Sequence, residues 1–339
     1  MTPFGLTHNQ FDDVLEAACR APSLHNSQPW SFLPIGDRLE LRIDPGRLLR
    51  VCDPDARETR IGCGAALFNL RLALSRYGVK AVTTVLPHGT DGPLAVIVGG
   101  GSTVSTPELA AMERAIRQRR TNRRPFSSAE VSLDNRHSLT RAVEAEGGVL
   151  HFIDEPERLR QIREQAAVAH RIQLADPEWV AEWNAWTARV DSNDGVPLSA
   201  AGPKPAPQDF YTLRDFGNAD RRERKDGQDF EPEPLIAVLA THADSAVNQV
   251  HAGQAMQRLL LAATVLGMSA SFLSQLIEVP SPAAYLRSLT GGYSYPQVVL
   301  RMGFGSPAPP TPRRPVEECM LVDDDNGIHY REQNAHSYT

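Results

Sequence analysis

No apolar run in the 339 residues reaches the length of about 20 needed to cross a bilayer as a helix, and the opening Met1-Thr2-Pro3-Phe4 has neither the basic nor the apolar region of a secretory signal. A membrane or exported protein is not expected; a cytoplasmic one is. Cysteine is scarce. Cys19, Cys52, Cys63 and Cys319 form no C-x-x-C pair and have no histidine at metal-ligand spacing, so free thiols are expected rather than a disulfide framework or a metal centre. Positive charge is not in excess either: 35 Lys and Arg stand against 41 Asp and Glu, for a net charge of −6. Nucleic acid or an anionic membrane surface is therefore a poor partner, although a local basic pocket stays open.

The composition is that of a folded chain, with 41% hydrophobic and 22% charged residues. Apolar positions at Phe11, Val14, Leu15 and Ala18 predict a helix over 6–20, with Thr7 as N-cap. Alternation in Trp30–Leu33 and Arg38–Ile43 about Gly36-Asp37 predicts a hairpin. Ile61 to Tyr77 is apolar on most faces and begins with Gly62, Gly64, Ala65 and Ala66, as a central helix with a close neighbour would. Strands follow at 79–86 and 93–98, the second closed by Gly99-Gly100-Gly101. That glycine run opens no periodic helix and does not make a dinucleotide site.

Helices are expected from Thr106 or Pro107 through Ile116, over 132–146 and over 155–174, with a strand at 149–153. Residues 176–233 lose all clear period yet hold Trp179, Trp183, Trp186, Pro197, Pro203, Pro205, Pro207 and Tyr211; they are expected as an irregular but ordered cover. The three tryptophans recur near helical spacing, which most simply makes a hydrophobic face. Regular structure resumes with a strand at 235–240, an apolar helix over 245–266 ending in Gly267, an extended segment 269–275, a helix over 282–289, a strand at 297–303 and a proline-rich exit carrying Arg313 and Arg314.

The two halves share an outline of helix, strand or hairpin, apolar central helix ending in glycine, and strand. They differ in what they keep. The first, 1–104, has the polar turn Pro22-Ser23-Leu24-His25-Asn26-Ser27-Gln28-Pro29-Trp30; the second, 105–339, has Arg119-Arg120-Thr121-Asn122-Arg123-Arg124, a cationic cluster suited to a phosphate. One composite site is expected. Taken singly each feature has a plainer reading: the arginines as a solvated helix end, His25 as a hydrogen-bonder in its turn, Trp30 as a core anchor, Cys63 as packing.

Together the two motifs, with their order, resemble the nitroreductase superfamily of FMN proteins, in the fused and lidded form of the mycobacterial Acg group. The resemblance covers the chain apart from 176–233. It implies an α+β nitroreductase-like fold in which two fused half-repeats mimic the family homodimer, with 176–233 as an inserted lid. It implies FMN as cofactor, its phosphate on Arg119, Thr121 and Arg123 joined by Arg313 or Arg314, and its ring against Pro22, Ser23, Leu24 and Asn26. Leu273, Ser274 and Gln275, placed by their spacing from Gly267, should lie beside the flavin N5 and O4. Thr121 stands where serine is commoner, and the aromatic or acidic groups usual after Gly267 are missing. No metal and no particular catalytic side chain is implied.

The function expected is NAD(P)H-dependent hydride transfer to nitroaromatics or quinones in a monomer that mimics a dimer. The alternative is an FMN-sequestering protein whose lid prevents turnover. A nucleic-acid module built on 119–124 fits poorly with the acidic chain.

Overall fold

A computed structural model describes residues 2–187, 189, 192–206, 208–211, 214, 230–231, 234–325 and 327–331. The parts of the expected cover between these ranges, Pro207 and Glu233 among them, lie outside the described residues.

The chain begins with α1 (His8–Cys19), closed at its N-terminus by a capping box in which Thr7 and Gln10 satisfy each other's backbone amides. The hairpin follows as β1 (Trp30–Ile35) and β2 (Arg38–Ile43), with Gly36 at φ 58° in the turn. Then come α2 (Arg57–Arg76), β3 (Val79–Val85), β4 (Pro87–Thr90), β5 (Ala95–Ser102) and α3 (Pro107–Ala115). Strand β5 runs through the glycines expected to close it. Gly100 is what lets β3 lie alongside, since a Cβ there would meet Val82 Cγ2 at 2.4 Å.

The second part contributes α4 (Leu133–Glu144), β6 (Val149–Ile153), α5 (Pro156–Leu174), α6 (Pro177–Trp186), β7 (Leu235–Thr241) and α7 (Ala246–Val265). It ends with β8 (Ser269–Phe272), α8 (Gln275–Glu278), α9 (Pro280–Leu289), β9 (Tyr295–Gly303) and a hairpin of β10 (Leu321–Asp324) and β11 (Gly327–Tyr330). Helix α6 lies in the stretch expected to be irregular. Asp176 caps it and Pro177 opens it, so an N-terminal signal overrode the low periodicity. Segment 269–275 is split between β8 and the start of α8, and neither β4 nor the last hairpin was foreseen.

This is an α+β fold with two antiparallel four-stranded sheets of the same construction. One has the order β1-β2-β5-β3, the other β6-β7-β9-β8, and in each the long helix, α2 or α7, is inserted after the second strand. The two long helices cross in the middle of the core. At the crossing a Cβ on Gly64 would lie 2.2 Å from the Val250 carbonyl oxygen, and one on Gly253 would lie 2.0 Å from that of Ile61. Only glycine permits this approach. Around the crossing a continuous apolar core joins α1, both sheets and both long helices.

The four cysteines are free and buried. Among the described residues no helix is long and apolar enough to cross a membrane, and no group of His, Cys, Asp and Glu could hold a metal ion.

Candidate functional site

Between α1 and β1 the chain makes a turn that no regular structure explains. His25, Asn26 and Gln28 all have left-handed φ, at 50°, 56° and 51°, a conformation that costs non-glycine residues energy and must be held by its surroundings. The restraints are visible. Gln28 N donates to Ser23 Oγ at 2.9 Å, Gln28 Nε2 to the Asn193 carbonyl at 2.8 Å, and Asn26 Nδ2 to the carbonyls of Gly195 and Pro312 at 3.0 and 3.1 Å. Gly62 of α2 lies directly beneath, where a Cβ would approach Ser23 Cβ to 3.3 Å.

Opposite this turn lies the arginine cluster. It leaves α3 and is pinned beside β8, with Thr121 bridging Ala270 and Asn122 N donating to the Ala270 carbonyl at 2.9 Å. Arg301, a lone charge within the apolar strand β9, secures it from behind. Its Nη2 donates to the carbonyls of Asn122 and Arg124 at 3.0 Å each, its guanidinium sits 4.3 Å from the Phe126 ring centroid, and Nη1 pairs with Glu231.

Turn and cluster face one cleft of about 1160 Å³, counting the space open to solvent. Pro22, Ser23, Leu24 and Asn26 line it from one side, Arg119, Thr121 and Arg123 from another, and Leu273, Ser274 and Gln275 from a third; Arg313 reaches it along the C-terminal arm. Arg314 does not. Its backbone N–H donates to Gln28 Oε1 at 2.9 Å, and its guanidinium turns to Asp44 and Glu318, at 3.5 and 3.6 Å. Of the two arginines, Arg313 is thus the one that lines the cleft.

Electrostatically the cleft carries a cluster of arginines whose pKa values are lowered. Arg119 is 5% exposed, and its Nε and Nη1 have no hydrogen-bond partner among the described residues. Burial, then Arg120 and Arg123, push its pKa down to about 10. Burial and then Arg214 bring Arg123 to about 10; burial and then Arg119 and Arg20 bring Arg313 to about 9. Among the described residues no carboxylate pairs with Arg119 or Arg313; the latter donates to Asn26 Oδ1, Thr311 Oγ1 and carbonyl oxygens. A buried cation such as Arg119 with no carboxylate partner is costly unless an anion joins it.

Several other lining groups were not predicted from the residues alone. Glu58 sits in the first turn of α2, where an acid is ordinary capping chemistry, yet it lines this cleft and its carboxyl is pushed up to about 7, chiefly by burial. His25 is buried, with its pKa well below 6.5 through burial and the nearby Arg214 and Arg123. From the inserted stretch come Val196, Ala201, Pro203 and Arg214. Trp179 and Trp183 stack on each other with centroids 5.2 Å apart, and Trp183 meets His25 edge-on at 4.7 Å. These indoles form a hydrophobic face against Leu49 and Cys52. Of the missed groups only Arg301 carried a readable signal, a charge isolated among Val298, Val299, Leu300 and Met302.

No family model matches the chain. It is, however, similar over nearly its whole length to proteins of Mycobacterium tuberculosis. It is 32% identical over 313 residues to "Putative NAD(P)H nitroreductase Rv3131", covering 91% of this chain and 90% of that one. It is 30% identical over 326 residues to "Putative NAD(P)H nitroreductase acg", covering 94% and 97%. With "Uncharacterized protein Rv3127" the identity is 27% over 329 residues, covering 94% and 95%. Among solved structures, a nitroreductase with bound FMN from Bacteroides fragilis is 13% identical, with 60% of this chain and 90% of that one covered and a TM-score of 0.36, a likeness too slight to argue from.

Proposed function

The chain belongs to the nitroreductase family, alongside Acg and its mycobacterial relatives, and from that premise we propose that its cleft holds one FMN and serves NAD(P)H-dependent hydride transfer to nitroaromatic or quinone acceptors. The observation that carries this reading is the convergence of Arg119, Arg123 and Arg313 on one cleft, with Arg119 buried, repelled by Arg123 and repelling Arg313, and its Nε and Nη1 without a partner among the described residues. A phosphate dianion matches that cluster, with the Thr121 hydroxyl beside it. Ile61, Met256 and Leu273 give the cleft apolar surface for a ring system, and Pro22, Ser23, Leu24, Asn26, Ser274 and Gln275 complete its edges. Bound FMN would supply the two-electron hydride chemistry that no side chain here can perform. Asn26 contributes by shaping the turn, because both ends of its amide and its backbone N–H and carbonyl are already engaged within the protein.

The matching order of the two sheets supports reading the chain as fused halves, 1–104 and 105–339, whose single surviving site makes a monomer do the work of a dimer. A cytoplasmic location, where NAD(P)H is available, goes with this reading.

A second reading has its own support. Val196, Ala201, Pro203 and Arg214 of the insertion wall the same cleft, and Arg123 Nη1 donates to the Ala200 carbonyl at 2.9 Å, tying that wall to the cationic cluster. A closed cover of this kind would suit a protein that sequesters FMN without turning over. Anaerobic mixing with NADPH or NADH, followed by dithionite, separates the two. Bleaching by nicotinamide is expected; bleaching by dithionite alone would favour sequestration, and a colourless protein that takes up no FMN would overturn both.

A further inference from the structure

An acceptor that takes up a hydride must also take up a proton. A quinone becomes a hydroquinone only when an oxygen is protonated, and a nitro group becomes a nitroso group only when one oxygen departs as water. The cleft offers few sources for that proton. Its arginines hold theirs up to a pKa of about 9 or 10. His25 is kept neutral at physiological pH by its burial and by Arg214 and Arg123, so it has none to give. Ser23, Thr121, Ser271 and Ser274 are alcohols.

Glu58 differs from all of these. It lines the cleft from the first turn of α2, its side chain 16% exposed. The helix start that carries it is fixed, because Asp53 accepts from the backbone N–H groups of Glu58 and Thr59 at 3.0 and 2.8 Å. Its Oε1 accepts from Arg57 Nη1 at 2.7 Å, and Arg57 is itself anchored to the Gln297 carbonyl at 2.7 Å. The charged groups facing it are Arg57 on its own helix, Asp53 on the preceding connection and Glu278 on α8, the last paired with Arg214 at 2.6 Å. Burial first, and then repulsion from Glu278 and Asp53, outweigh the attraction of Arg57 and raise the carboxyl to about 7.

We propose that Glu58 is the proton donor of this cleft, protonating an oxygen of the acceptor as the hydride arrives. The inference rests on the FMN-dependent reading above, which supplies the reductant. For a quinone, one hydride and one proton give the hydroquinone. For a nitro compound, the same pair breaks one N–O bond, leaving the nitroso product and water. In either case Glu58 is left as a carboxylate, held against Arg57, and regains its proton from solvent.

The test uses the wild-type protein and Glu58→Gln, which keeps the shape and the hydrogen bond to Arg57. Difference infrared titration of the resting protein should show a carboxylic-acid carbonyl band that titrates near 7 and is missing in the variant. Protein reduced anaerobically with dithionite, freed of excess reagent and mixed with benzoquinone should reoxidise more slowly as pH rises through that value. In the variant the reoxidation should be about 10²-fold slower, independent of pH and without the wild-type solvent isotope effect. A band titrating in the ordinary carboxylate range, or a variant that keeps the wild-type rate and pH dependence, overturns the proposal. Dithionite bypasses the nicotinamide, so failure of NAD(P)H to react counts against the reductase reading and leaves this measurement intact. If no FMN binds, the cofactor reading falls and the infrared titration alone decides the state of Glu58.

Discussion

Arg313 donates from Nη1 to Oδ1 of Asn26 at 2.9 Å, joining two residues 287 positions apart in the chain. The bond ties the C-terminal arm to the left-handed turn that forms the opposite side of the cleft. Asn26→Asp tests it at a position whose positive φ aspartate also tolerates. The new carboxylate would pair with Arg313 and would face the Gly195 and Pro312 carbonyls that Asn26 Nδ2 now satisfies. We expect FMN affinity, measured by fluorescence titration, to fall by about 1.5–3 kcal/mol as Arg313 is drawn from the phosphate. Unchanged affinity would remove Arg313 from the phosphate wall.

Arg119 presents the opposite trade. A buried guanidinium whose Nε and Nη1 have no partner among the described residues destabilises the protein that carries it, so Arg119→Met should raise the stability of the flavin-free form. Replacing buried ionic groups with apolar ones of similar size commonly yields about 1–4 kcal/mol. The same change should weaken FMN retention by about 1.5–3 kcal/mol. Chemical denaturation of the flavin-free protein and flavin titration together check the pair of effects. A variant that loses stability and keeps its flavin would contradict the anion-site reading.

Much of this arrangement could be read from the residues because the signals were local. The Thr7 cap, the Gly36-Asp37 turn and the apolar face of α2 each report on a few neighbouring positions, and the elements they predicted are present. The two motifs also line one cleft. What could not be read depends on distant partners. Glu58 looks like any first-turn acid until burial and Glu278 act on it. Arg313 and Arg314 are indistinguishable in sequence and are separated only by which way the arm presents them. Helix α6 was legible in principle: Trp179, Trp183 and Trp186 follow an Asp-Pro start, and the prolines farther along obscured it.

The crossing of α2 and α7 has no room for a methyl group. Gly64→Ala would put a Cβ 2.2 Å from a backbone oxygen of the other helix, where no side-chain rotation can relieve it. Overpacking usually costs about 1–3 kcal/mol, and a clash of backbone against Cβ should exceed that. We expect a loss of more than about 3 kcal/mol in denaturant unfolding, with loss of flavin, because the two helices carry Ile61, Gly62 and Met256 to the cleft. A variant of wild-type stability would mean that the helices can separate freely, contrary to their packing.

His25 should make the protein sensitive to mild acid. Its pKa in the fold lies well below 6.5, the value expected once the chain unfolds. Below that pH the unfolded chain binds a proton that the folded one refuses, so this residue's contribution to stability falls as pH falls, by at most about 1.4 kcal/mol per pH unit. Glu58 works in the other direction. Its raised pKa means the fold binds the extra proton between the ordinary carboxylate value and about 7, and its contribution falls as pH rises through that window. The two overlap in the wild type, and a single variant separates them. His25→Asn keeps a residue that accepts positive φ and loses the edge contact with Trp183 equally at every pH. Unfolding free energies measured from neutral pH into mild acid should fall less steeply in the variant than in the wild type. Equal slopes would mean that His25 takes up its proton as readily in the fold as in the unfolded chain, so that it too would have a proton to offer the cleft.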